Sequence, residues 1–143
     1  MRKRDRIKNK NREPLDVPVK FDFFRGGRIM VATFSGPFTR EHVYEVSQQV
    51  LTREKMIPAT GLLVDLRQVT ALQVDAAFFE GFYQEMKRRG QRRGRTAIVV
   101  GDDDGHRTVL ESAVAIGTKY SNSPRAVFDR LESAVAWLQG MAS

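Results

Sequence analysis

Gly61-Leu62-Leu63-Val64-Asp65-Leu66-Arg67-Gln68-Val69-Thr70-Ala71-Leu72-Gln73-Val74-Asp75-Ala76-Ala77-Phe78-Phe79 carries most of the architecture of this chain. Leu62, Leu63 and Val64 are an apolar run with no polar alternation, as expected of a central strand covered on both faces. Asp65 and Arg67 stand where that strand is expected to emerge, and Val69, Thr70 and Leu72 read as a connection. From about Asp75 the spacing becomes helical, with Phe79, Phe82, Tyr83 and Met86 on one stripe. In open α/β sheets the carboxyl ends of strands, with the helix N-termini that follow them, are the usual place for binding.

Upstream, Val17, Val19, Phe21 and Phe23 alternate with Pro18, Lys20 and Asp22, the period of an edge strand with one buried face. Arg25-Gly26-Gly27-Arg28 predicts a two-residue hairpin turn, because a glycine pair tolerates positive φ. Ile29 to Phe34 is apolar on both faces and hence more central, and Ser35-Gly36-Pro37 is expected to break it. Thr39 is a candidate N-cap with Glu41 in the first turn, and Val43, Val46, Val50 and Leu51 give the stripe of a helix reaching about Lys55 before Pro58. His42, with no partner one turn on, reads as a surface or capping residue and not a ligand.

Downstream, the helix from Asp75 carries Phe78, Phe79, Phe82, Tyr83 and Met86, the load of a core face, a dimer face or the wall of an apolar cavity. Gly81 inside it costs about 1 kcal/mol relative to Ala, which predicts the close approach of another element. Lys87-Arg88-Arg89-Gly90 ends the helix with cations where its dipole favours them. Thr96 to Val100 is the next buried strand, followed by Gly101-Asp102-Asp103-Asp104-Gly105-His106. Adjacent aspartates point apart, unlike the alternating ligands of a calcium loop, so this is a turn with Asp104 capping the next helix and no metal is assigned. That helix has the stripe Val109, Ala113, Ile116, Gly117 and Tyr120, and its small residues Ala113, Ala115 and Gly117 allow tight packing or room for a ligand. Arg125 to Phe128 is a last strand, Asp129 and Glu132 have the spacing of a capping box, and Leu131, Ala134, Val135 and Leu138 bury a final helix carrying Trp137. The predicted class is α/β: a mixed sheet with a leading antiparallel hairpin followed by βα units.

A chain of 143 residues predicts one domain, here over 15–143, behind a disordered basic tail over 1–14. The absence of cysteine excludes disulfides, thiolate zinc sites and a cysteine nucleophile, and with no apolar run of membrane-spanning length the expectation is a cytoplasmic protein. The net charge of +7 resolves into two patches: residues 1–13 carry seven Lys or Arg against Asp5 and Glu13, and Lys87 to Arg95 carries six more with no acid. The tail is either a solvated extension or an arm for nucleic acid or anionic lipid. Arg92, Arg93 and Arg95 lie beyond the helix end, so its dipole does not account for them, and an anionic partner is one reading of them beside a solvated basic stretch. No Gly-x-Ser-x-Gly elbow, phosphate loop or dinucleotide fingerprint is present, so no enzyme and no cofactor are expected; Asp102, Asp104 and His106 are the residues that catalysis would have to use.

The frame Val64-Asp65-Leu66-Arg67-Gln68-Val69-Thr70, with Gln73-Val74-Asp75-Ala76 at the helix start, resembles the strand, loop and helix of STAS domains, the bacterial anti-sigma factor antagonist family, most closely its SpoIIAA-like branch. The resemblance runs over about residues 17–140 in order of elements and implies a signalling module that binds a protein partner. In regulatory STAS domains the helix start is Asp-Ser-Ser-Gly and the second serine is phosphorylated. Those positions are occupied here by Gln73, Val74, Asp75 and Ala76, and no Ser or Thr lies between Thr70 and Thr96, so the phosphoacceptor is missing. Asp75 is then either a helix cap alone or a partial imitation of phosphoserine, with less charge and fewer acceptor oxygens. The resemblance places the partner surface at Gln73, Val74, Asp75, Ala76 and Phe79, with Asp102 and Asp104 beside it. Because the SpoIIAA-like branch is similar in fold to CRAL-TRIO lipid-transfer domains, the alternative is an apolar small-molecule or lipid site lined by Phe78, Phe82, Tyr83 and Met86. A homodimer is compatible with either.

Overall fold

A computed structural model describes residues 19–90 and 94–140. The expected tail, the strand start at Val17 and Pro18, and Arg92 and Arg93 lie outside the described residues. The elements are β1 (Val19–Phe24), β2 (Ile29–Phe38), α1 (Arg40–Met56), β3 (Gly61–Leu72), α2 (Ala76–Arg89), β4 (Thr96–Val99), α3 (Asp104–Tyr120), β5 (Arg125–Phe128) and α4 (Leu131–Gln139). One sheet takes the strands in chain order, β1 antiparallel to β2 and all later pairs parallel. This is the mixed sheet with a leading hairpin that the sequence predicts.

Because successive parallel strands step across the sheet in one direction, right-handed crossovers put α1, α2 and α3 on one face. The larger core forms there: Met30, Ala32, Phe34, Leu62, Val64, Leu66 and Ile98 from the sheet meet Val43, Val46, Val50, Phe79, Phe82, Leu110 and Ala113. On the other face, among the described residues, α4 packs Ala134, with Leu131, Val135 and Leu138, on Leu63, Ala97 and Val99. Alternate residues of β3 feed both cores, which is why Leu62 to Val64 lacks polar alternation. Among the described residues no helix is long and apolar enough to cross a membrane.

Several boundaries differ from the sequence reading. β3 does not emerge at Asp65 but continues to Leu72, pairing with β2 as far as Phe38. Asp65 is 6% exposed within the strand, its charge met by Arg67. Ser35-Gly36-Pro37 does not break β2; the strand passes through with register shifts at Thr33/Ser35 and Gly36/Pro37, where Gly36 takes φ +76°. The hairpin is a four-residue loop, not a two-residue turn, with left-handed φ at Arg25, Gly26 and Gly27 in succession. Arg53 of α1 crosses under it, its Nε donating to Gly27 O at 3.4 Å and its guanidinium lying 4.5 Å from the Phe23 ring centre.

The close helix approach is at Gly117, not Gly81. Among the described residues a Cβ at Gly81 would meet nothing within 4 Å, whereas one at Gly117 would stand 3.0 Å from both Tyr83 Cζ and Arg125 Nε. Gly117 therefore sets the spacing between α2 and α3. The cap of α3 is Asp103 rather than Asp104, its carboxylate accepting from His106 N at 2.9 Å. The capping box at Asp129 and Glu132 does not form: α4 starts after Arg130 with no side-chain cap, and Asp129 instead pairs with Arg107 of α3.

Candidate functional site

The carboxyl ends of β2, β3 and β4 gather the residues that the sequence singles out. Beyond Leu72 the chain is tied to the end of β2 by Gln73 N donating to Phe38 O at 2.8 Å. Val74 then turns inward and is buried, and Asp75 takes an extended backbone conformation, φ −142° and ψ −178°. From there its Oδ1 accepts from Phe78 N at 2.9 Å, satisfying one of the free amides of the first turn of α2. The carboxylate remains exposed, as do Gln73 and Ala76. Phe79 is buried in the core, so of the expected partner surface Val74 and Phe79 supply support and Gln73, Asp75 and Ala76 supply the contactable face.

Two residues of α1 complete this surface and are not singled out by the sequence. Tyr44 is 46% exposed, its ring edge-on to Phe78 at 5.9 Å and to Phe82 at 5.4 Å between centroids. Arg40 places its guanidinium 5.6 Å from the centre of the half-buried Phe78 ring. Their signal was negative: both fall off the apolar stripe of α1, so only knowledge that α1 and α2 lie side by side brings them to Asp75.

Beneath them Thr39 caps α1, and His42 closes the capping box from the third helical position, where Glu or Gln is usual. Its Nδ1 accepts from Thr39 N at 3.1 Å, which leaves the ring proton on Nε2. The sequence allowed a surface or a capping residue; His42 is a capping residue, but at 1% exposure it lies between Phe34 and Phe38 and not on the surface. Among the described residues Nε2 has no hydrogen-bond partner there. Burial pushes the His42 pKa below its ordinary value, against the opposing pull of Glu41 and Glu45.

The neighbouring loop after β4 turns at Gly101, whose φ of +73° brings it against Arg67. Arg67 is held by Asp65 through Nε at 2.9 Å, Nη2 at 2.8 Å and the backbone N at 3.1 Å. This fork-on-carboxylate geometry raises the Arg67 pKa further above its ordinary value. Asp102 and Asp104 are exposed, and Asp103 is occupied as a cap. Among the described residues no three His, Asp or Glu side chains converge as a cation site would need.

Phe82, Tyr83 and Met86 line a cavity between α1, α2 and the sheet, with Val46, Val50, Leu62 and Leu66; its volume is about 130 Å³. Ser47 bridges its two helices, Oγ donating to Met86 Sδ at 3.2 Å. Phe78, expected among the lining residues, lies outside it against Tyr44.

No family model and no curated protein matches the sequence. Solved structures do resemble it. An anti-sigma factor antagonist from Mycobacterium paratuberculosis is 14% identical with a TM-score of 0.56, over 88% of this chain and 97% of that one. An uncharacterised DUF3478-family protein with a SpoIIAA-like fold from Shewanella loihica is 15% identical with a TM-score of 0.54, over 85% and 93%. The anti-sigma factor antagonist SpoIIAA in its unphosphorylated form is 15% identical with a TM-score of 0.52, over 86% and 97%. The fold is therefore SpoIIAA-like across nearly the whole length of each.

Proposed function

We propose that the chain is a non-catalytic regulatory module that docks a protein partner on Gln73, Asp75 and Ala76, flanked by Tyr44 and Arg40. The likeness in fold to two anti-sigma factor antagonists supports a protein partner in general. The observation that carries the specific surface is Asp75: an exposed carboxylate at a helix start, beside a half-exposed aromatic ring and a cation. Aromatic and Arg side chains are the usual anchors of protein interfaces. Where the resemblance puts a phosphorylated serine, this chain has the carboxylate side chain of Asp75, so the surface stays in one covalent state without a kinase.

The test is affinity capture from the source cell, read by quantitative mass spectrometry, with Asp75→Ser, Asp75→Lys and Tyr44→Ala. Asp75→Ser retains a capping oxygen and costs only a few tenths of a kcal/mol in stability, so any binding loss reports the charge. A partner lost in Asp75→Lys and Tyr44→Ala and weakened in Asp75→Ser is the expected result. A partner recovered equally by all four proteins would place its docking site elsewhere.

A small apolar guest between α1 and α2 is the second reading, supported by the cavity itself. At about 130 Å³ it is close to the engineered cavity of about 150 Å³ that takes up benzene, and far below the several hundred Å³ of a pocket for a drug-sized ligand. A lipid chain does not fit that volume.

A further inference from the structure

The cavity between α1 and α2 is not uniformly apolar. Its volume of about 130 Å³ is bordered by four aromatic rings, those of Phe38, Phe79, Phe82 and Tyr83, and by the hydroxyl of Ser47. We propose that it binds a neutral single-ring aromatic molecule carrying one hydroxyl group, a phenol-type compound, with Ser47 Oγ as its polar anchor. This names the guest of the second reading above and rests on that reading.

The anchor follows from the hydrogen bond that Ser47 already makes. Its Oγ donates to Met86 Sδ at 3.2 Å across the gap between the two helices. That bond uses the one proton of the hydroxyl and leaves the oxygen lone pairs to accept. A guest O–H therefore donates to Oγ without displacing the sulfur. Met86 suits the same guest, because a thioether makes favourable contacts with ring edges and its unbranched chain adapts to an irregular gap. Ser47 and Met86 are both half-buried, whereas Val50, Leu62 and Phe82 of the same lining are buried. The oxygen of the guest stays on the outer side and its ring reaches the core.

The rings favour an aromatic body over an aliphatic one. Phe82 and Tyr83 stand edge to face at 5.2 Å between centroids, and Phe79 lies stacked 6.2 Å from Tyr83. A guest ring extends this cluster in the edge-to-face and offset arrangements that aromatic pairs prefer. Size selects a single ring, since the volume is close to that of the benzene cavity compared above. A neutral guest suits the anchor, because an ion beside Ser47 and Met86 would lose its hydration against one hydroxyl and one thioether. Of the cations that border the cavity, Lys87 is exposed in the last turn of α2. Arg125 lies 4.9 Å from the centre of the Tyr83 ring and donates to Ser123 O at 2.8 Å, so each has a place in the fold without a ligand.

The test titrates the full chain with phenol and, in parallel, with toluene, which is similar in size and lacks the hydroxyl. Binding is read by calorimetry at neutral pH, where phenol is uncharged, and located by side-chain methyl shifts in NMR. Saturable phenol binding is expected, with the largest shifts at Val46, Val50 and Leu62. Ser47→Ala should weaken phenol about ten-fold and leave toluene within about two-fold. Alanine is the best helix former, so α1 is kept, and an unchanged thermal midpoint separates loss of binding from loss of fold. Equal weakening of phenol and toluene in Ser47→Ala would overturn the anchor and leave an apolar guest in place, as would saturable toluene binding without phenol binding. Failure of both compounds to saturate would overturn the reading of a guest and this inference together. Phenol shifts confined to residues outside the cavity would assign it to the surface and overturn the inference alone.

Discussion

The two ends of the sheet are built on opposite terms. At the carboxyl ends of the strands every exposed acid discussed above sits at a helix start, and Asp75 and Asp103 cap α2 and α3 through bonds of 2.9 Å. At the amino ends the helices finish on cations, Arg53 and Lys55 in α1, Lys87 to Arg89 in α2 and Lys119 in α3. A βα repeat produces this polarity unaided, because each crossover aligns a helix N-terminus with a strand's carboxyl end. What the repeat does not produce is the concavity at the amino ends, where Arg25 and Arg28 of the hairpin loop and Arg95 meet the last turn of α4 at Leu138 and Gln139. The difference teaches which charges follow from the polarity of the βα repeat and which come from the hairpin and from the helix packed on the other face.

The strongest way to break the carboxyl end is Asp65→Ala. It leaves Arg67 without the carboxylate that fixes it beside Gly101, and opens a polar gap in a buried strand. Because Arg67 is part solvated the cost falls below that of a fully buried pair, at about 1–2 kcal/mol by chemical denaturation. A loss under about 0.5 kcal/mol would mean that the pair is incidental to the loop.

A smaller effect at the same end is a pH dependence through His42. Its folded pKa lies below the unfolded value of 6.5, so the unfolded chain takes up a proton first as pH falls. The stability due to neutral His42 is complete above about pH 6.5 and is lost as pH drops from there through the folded pKa. His42→Gln keeps a capping side chain at the third helical position and removes the titration, so its denaturation midpoints should be flatter between pH 6.5 and the onset of carboxylate protonation. Parallel profiles for the two proteins would assign the acid sensitivity to other groups.

The architecture was legible because Leu62 to Val64, the stripe through Phe79 and Phe82 and the cap at Asp75 each rest on one local rule. The extent of β3 was not, because a charged residue within a strand looks like its end; only the partner at Arg67 makes burial of Asp65 tolerable. Val69, buried between exposed Gln68 and Thr70, did carry the period of a strand. Three consecutive aspartates left the cap of α3 uncertain by one residue, and Gly81 and Gly117 could not be told apart without knowing which helix face meets a neighbour. The arginine concavity draws on the hairpin, the loop before β3, the approach to β4 and the end of α4, so of its charges only Arg95 stood out in sequence.

The subtlest contrast between the two ends is in backbone conformation. At the carboxyl end the left-handed positions are Gly36 and Gly101, with φ of +76° and +73°. The amino end places Arg25 and Ala59 in the same region of φ. Gly101→Ala should therefore destabilise by a few tenths to about 1 kcal/mol, the left-handed cost of a Cβ less the freedom that glycine has in the unfolded chain. Ala59→Gly should do the reverse on a smaller scale: relief of about 1 kcal/mol is mostly offset by the greater freedom of glycine in the unfolded chain, leaving a gain of a few tenths. Equal and opposite changes would mean that Ala59 is as strained as any alanine with positive φ, whereas a loss in Ala59→Gly would show that its methyl group packs usefully in the concavity. In the first case the strain is retained against an available remedy, so the side chain at this position is not set by stability alone.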